Sequence, residues 1–115
     1  MKKRFYLILV TVLFLIPGFI AAHPAQKVDV VFDPVTHILQ IRIDHNVKDA
    51  ARHFIEAVTV TLNGEELVIQ KLNAQDDLTG LDLIYKLNTV KTGDEIIVSA
   101  KCNIMGKKSG KLKIE

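Results

Sequence analysis

Cys102 is the only cysteine in the chain, and it lies in the run Cys102-Asn103-Ile104-Met105-Gly106 near the carboxyl end. Three of the four histidines, His23, His45 and His53, fall in or beside loops expected earlier in the sequence. A thiolate combined with imidazoles suits iron, zinc or copper and disfavours magnesium and calcium. None of the compact zinc spacings is present, so these donors meet only if folding gathers distant strand ends. Bonds from such donors to one ion run at roughly 2.0 to 2.4 Å, which sets the ligand atoms about 3 to 5 Å apart. The competing reading is purely structural. Free cysteine is among the most buried residue types, and His45 and His53 can cap strand ends through backbone hydrogen bonds. Met105 is more often a packing residue than a ligand, and His37, after Asp33-Pro34-Val35-Thr36, reads as a turn-edge residue.

The elements that must position these side chains read as β throughout. A first strand is expected from Lys27 to Phe32, and Asp33-Pro34 opens a turn. The next, His37 to Asp44, sets Leu39, Ile41 and Ile43 on one face and Gln40, Arg42 and Asp44 on the other. That strict alternation marks a strand buried on one side, and by the same parity His45 continues the inward face. Asn46 to Arg52 breaks the pattern, with Lys48 to Arg52 suited to one helical turn. His53 to Leu62 follows, with Val58, Val60 and Leu62 inward and Thr59 and Thr61 outward. Asn63-Gly64 is a type I′ hairpin signal, because both residues tolerate positive φ. Glu66 to Leu72 returns as its partner, Asn73 to Gly80 is a polar loop, and Leu81 to Leu87 is a further strand. After the turn Lys91-Thr92-Gly93-Asp94, Glu95 to Asn103 places Ile96, Val98, Ala100 and Cys102 on one inward face. Gly106 to Gly110 is expected as a turn and Lys111 to Glu115 as a short last strand. About seven strands with short turns and no long helix predict an all-β, immunoglobulin-like antiparallel β-sandwich.

Residues 1–22 read as a signal peptide: Lys2, Lys3 and Arg4 precede an apolar run from Phe5 to Ile16, Pro17-Gly18 ends it, and Ala21-Ala22 offers small residues for cleavage. The run is short for a membrane span. Residues 23–115 are then a single exported domain, periplasmic or extracellular, with no stable membrane association after cleavage. Losing the three basic residues takes the formal net charge from +2 to −1. A nearly neutral exported domain gives no reason to expect nucleic acid as a partner. Lys101, Lys107, Lys108, Lys111 and Lys113 gather late, as a solvated face or as a docking patch for an acidic redox partner.

His45, the segment His53-Phe54-Ile55-Glu56, Asn63-Gly64 and Cys102-Asn103-x-x-Gly106 together resemble the iron domain of superoxide reductase, the desulfoferrodoxin and neelaredoxin family. That family has an immunoglobulin-like sandwich whose exposed iron is held by four equatorial histidines and an axial cysteine. The resemblance implies that His23 matches the early histidine, His45 and His53 the middle pair, and Cys102 the axial thiolate. It also implies iron as the cofactor and one-electron redox chemistry. The pattern is degenerate. Met105 stands where the family's last histidine would be, and Asn46 replaces the proline after the first middle histidine. The loop to His53 is longer by about two residues, and the lysine expected just before the early histidine has no counterpart. Fold is therefore inherited more safely than activity.

Two other classes stay open. Cleavage before His23 would put an α-amine and an imidazole on one residue, as in exported copper carriers with an N-terminal histidine. A non-metal interaction or sulfur-carrier-like domain is the other, although such carriers use a cysteine at a flexible glycine-rich end. Ser99 and Ser109, the only serines, sit in no nucleophile-elbow or triad context, which leaves no hydrolase reading.

Overall fold

The computed structural model describes residues 22–115. All of the expected signal peptide but Ala22 lies outside them. The described chain forms seven strands: β1 (Lys27–Asp33), β2 (Ile38–Asp44), β3 (Ile55–Leu62), β4 (Glu65–Lys71), β5 (Gly80–Lys86), β6 (Glu95–Cys102) and β7 (Lys107–Lys113). They make two antiparallel sheets, one ordered β1-β2-β5 and the other β4-β3-β6-β7. This is the sandwich anticipated from strand count and alternation.

Alternation is what closes it. Leu39, Ile41 and Ile43 of β2 face Val58 and Val60 of β3 and Ile96, Val98 and Ala100 of β6 in one continuous buried cluster. Burying each such aliphatic side chain is worth roughly 1.5–3 kcal/mol, so this layer carries the fold and the loops are held to it. The β3–β4 hairpin turns at Asn63 (φ 51°) and Gly64 (φ 87°), both in the left-handed region. That matches the Asn-Gly expectation, since the type I′ twist follows the twist of the strands. His37 also has positive φ, 62°, and its amide donates to the Asp33 carbonyl at the β1–β2 turn.

One element departs from expectation. The stretch Gly106 to Gly110 is not a turn: the chain reverses at Asn103–Gly106, and β7 runs from Lys107 with Gly110 opposite Val98. Gly110 is there for proximity, because a methyl at that position would overlap the Val28 carbonyl oxygen of β1. Lys107, Lys108, Lys111 and Lys113 are exposed along this edge strand, where charge discourages pairing with another chain's strand. Lys101 forms an ion pair with Glu56 at 3.2 Å.

Candidate metal centre

β2, β3 and β6 deliver their ends to the same side of the sandwich. His45 immediately follows β2, and its amide donates to the Thr79 carbonyl at 2.9 Å, just before β5. β5 reaches this point only because residue 80 is glycine. A methyl there would overlap the Ile43 carbonyl oxygen, and its φ of 142° disfavours any side chain. The residue is thus required by a close approach of two strands next to a candidate ligand.

His53 arrives by a different route. The expected helical turn exists as a single reversal in which the His53 amide donates to the Asp49 carbonyl at 2.9 Å. Asp49 Oδ1 caps it by accepting from the Ala51 amide at 3.0 Å. Beyond it, Asn103 clamps both sides of the histidine. Its Oδ1 accepts from the Phe54 amide at 2.9 Å, and its Nδ2 donates to the Arg52 carbonyl at 2.9 Å. The residue next to Cys102 therefore fixes the segment that carries His53.

His23 is folded over this end by the chain leading into β1. The Gln26 amide donates to the Asp44 carbonyl at 2.8 Å, and Gln26 Oε1 accepts from the Asn46 amide at 3.0 Å. The shortest polar contact of the His23 ring runs from Nδ1 to the Pro24 carbonyl at 2.9 Å, which places a proton on Nδ1. The 3.4 Å contact of the same nitrogen with Gln26 Nε2 then joins two donors and is no hydrogen bond.

The outcome is a triangle of imidazoles. Ring centroids are 5.1 Å apart for His23 and His45, 5.0 Å for His23 and His53, and 4.7 Å for His45 and His53, with interplanar angles of 67°, 61° and 87°. Each ring offers a nitrogen, and these nitrogens all lie within 4.8 Å of one another. That spacing meets the 3 to 5 Å range set by metal–ligand bond lengths. His45 is fully buried, whereas His23 and His53 are half-buried. Among the described residues, His53 Nε2 is the buried side-chain polar atom left without a hydrogen-bond partner. Burial, helped by the neighbouring His45 ring, holds the His53 imidazole below its ordinary value of 6.5; the His23 backbone pulls the other way. A ring kept neutral, with a buried nitrogen unused, is in the form that binds a metal. The donor set fits an ion.

Cys102 closes β6 on its inward face, 2% exposed, opposite Ile55 of β3. Its sulfur accepts from the Ile104 amide at 3.4 Å, but it is not within 4.8 Å of all three ring nitrogens. Met105 is 58% exposed on the following turn. Of the four histidine and cysteine candidates, the fold thus gathers His23, His45 and His53 into one group and leaves the sulfur of Cys102 outside it.

Gln75 was missed. It lies in the polar stretch between β4 and β5, yet it is buried, and its amide accepts from His45 Nδ1 at 2.6 Å and from the Ile55 amide at 3.1 Å. No periodicity marks it, because it belongs to a loop that turns inward at one residue.

No family model matches the chain, and no curated protein matches it. A search of solved structures finds likeness to a superoxide reductase (1Fe-SOR) from Giardia intestinalis, at 15% sequence identity and a TM-score of 0.61. The match covers 80% of this chain and 100% of that one. At that identity the likeness shows the fold: this chain has the sandwich of a superoxide reductase.

Proposed function

We propose that this superoxide-reductase-like sandwich is an exported metal-binding protein that holds iron through the imidazoles of His23, His45 and His53 and the thiolate of Cys102. The observation that carries the proposal is the convergence of three ring nitrogens within 4.8 Å at one end of the sandwich. The unpartnered His53 Nε2 within that group supports it, because a buried polar atom without a partner costs about 1–3 kcal/mol unless something binds it. Iron is favoured over zinc or copper by the likeness of fold. When bound, the ion supplies one-electron redox chemistry, with the thiolate donating charge to it.

The chain's own residues supply the rest. The Ile104 amide already points at the Cys102 sulfur, an N–H donor suited to an anionic acceptor. Asn103 holds the His53 segment against the Cys102 turn. Met105 is the remaining donor by position. Its thioether in place of an imidazole separates this site from that of superoxide reductase, so we assign a one-electron redox role and not superoxide turnover. The lysines of β7 would present an electron donor with a basic edge to dock against.

The test is metal analysis of the protein as residues 23–115, alongside His45→Ala and Cys102→Ser. The proposal expects about one iron per chain in the parent, near-complete loss in His45→Ala and a clear reduction in Cys102→Ser. Equal content in all three proteins would remove these residues from the site.

One observation favours a second reading. His23 is both the first residue after the expected cleavage point and a member of the imidazole group. Processing after Ala22 would add its α-amine to the donor set and favour copper. Placing one extra residue before His23 separates the two: copper binding through the amine would be lost, and iron binding through the rings would persist.

A further inference from the structure

We infer that Gln75 is a positioning residue that holds a proton on His45 Nδ1 and so makes Nε2 the nitrogen left to bind a metal. The inference deepens the metal-binding reading and rests on it, and it concerns a residue outside the ligand set.

The orientation of the Gln75 amide is dictated by its neighbours. Nε2 faces two backbone carbonyls, that of His45 at 2.9 Å and that of Asp77 at 3.1 Å. Both are acceptors only, so the NH2 group must point at them. Oε1 faces the Ile55 amide at 3.1 Å, a donor only. A flipped amide would set donor against donor and acceptor against acceptor at all three contacts. The oxygen lying 2.6 Å from His45 Nδ1 is therefore an acceptor, and Nδ1 must carry the proton.

A neutral imidazole has one N–H. With that proton committed to Gln75, Nε2 holds a lone pair, and it lies 3.1 Å from the His23 carbonyl oxygen, itself an acceptor. In the neutral ring this contact sets one lone pair against another in a fully buried position. A proton on Nε2 would donate to that carbonyl, and a metal would bind at Nε2 in the proton's place. Gln75 thereby does for this site what carboxylates and carbonyls do behind metal-bound histidines elsewhere: it fixes the tautomer and ring orientation and raises ligand basicity. Its bond to the Ile55 amide also couples His45 to the start of β3, two residues after His53.

Two measurements test this. The first needs no variant and no metal: proton–nitrogen correlation spectra of the imidazoles in metal-free protein at about pH 9, where histidine is ordinarily neutral. The inference expects a proton on His45 Nδ1, and a ring protonated at Nε2 alone overturns it. The second compares the parent with Gln75→Met, which keeps bulk but removes the acceptor, by titration with ferrous or zinc ion. A 10- to 100-fold weaker affinity, together with a mixed His45 tautomer, is expected. Unchanged affinity and an unchanged tautomer overturn the assignment. Failure of the parent to bind either ion would sink the metal-binding reading, and the parent spectrum then decides the tautomer lock by itself.

Discussion

The two ends of the sandwich use buried polar groups in opposite ways. At the end where β3 meets β4, the Asp94 carboxylate accepts from Asn63 Nδ2 and from the Lys91 amide, each at 2.9 Å. Asn63 Oδ1 accepts in turn from the Glu95 amide at 2.9 Å. The Gly93 and Ile114 amides are paired with the Ile114 and Asp94 carbonyls. That network closes. At the other end, Gln75 and Asn103 are equally well bonded, but His53 Nε2, in the segment Asn103 holds, has no partner among the described residues. A closed network serves stability, whereas a network that leaves a buried nitrogen unpaired gives up some of it. Residues at the two ends should therefore respond differently to the same kind of truncation.

The largest effect is expected where the shared frame is broken. Gly80→Ala forces a methyl into the Ile43 carbonyl at a φ of 142°. Backbone strain and overpacking each cost about 1–3 kcal/mol, so a loss of roughly 3 kcal/mol or more is expected, read as a lower denaturant midpoint. The imidazole group should disperse with it, because His45 bonds to Thr79 beside this glycine. A midpoint unchanged from the parent would mean that β5 can withdraw from β2 without harm.

Next comes the direct contrast. Asn63→Ala at the closed end removes bonds to a carboxylate and orphans the Glu95 amide, with an expected loss of about 1.5–3 kcal/mol. His53→Met at the open end removes a ring nitrogen that had no partner. It should leave metal-free stability within about 0.5 kcal/mol of the parent, or raise it slightly, while lowering metal affinity steeply. Equal destabilisation by the two substitutions would erase the distinction between the ends.

What the sequence made legible follows the same division. Period-two alternation carries one fact, which side of a strand faces in. It placed Leu39, Ile41 and Ile43, and it extended correctly past the strand to bury His45 and to turn Cys102 inward. Asn63-Gly64 declared its turn because few residues adopt that backbone. Gly110 misled, since a glycine kept small by a neighbouring strand reads in sequence like a glycine that bends the chain. Gln75 was invisible for a related reason. Its role is set by three backbone groups from His45, Ile55 and Asp77, and no local pattern encodes contacts made across the fold.

The smallest effect lies in pH, and it separates the ends by window. His53 is held below 6.5 chiefly by burial, so the unfolded chain takes up its proton first as the solution is acidified. The stability this provides is complete above about 6.5 and declines as pH falls toward the lower folded value. At the closed end the Asn63 and Lys91 hydrogen bonds hold the Asp94 carboxyl below its ordinary 3.8, so its contribution persists until the solution is more acid than that and is lost as pH falls through the folded value. Asp33 and Asp77, lowered by turn hydrogen bonds with Val35 and Thr36 and with Thr79, add to the same acid window. Metal-free protein should therefore lose stability in two steps on acidification. His53→Met should abolish the first step and leave the second, because replacing the ring removes the proton that only the unfolded chain accepts readily. A single acid transition in the parent, or a first step that survives in His53→Met, would show that this imidazole is not held neutral by its surroundings.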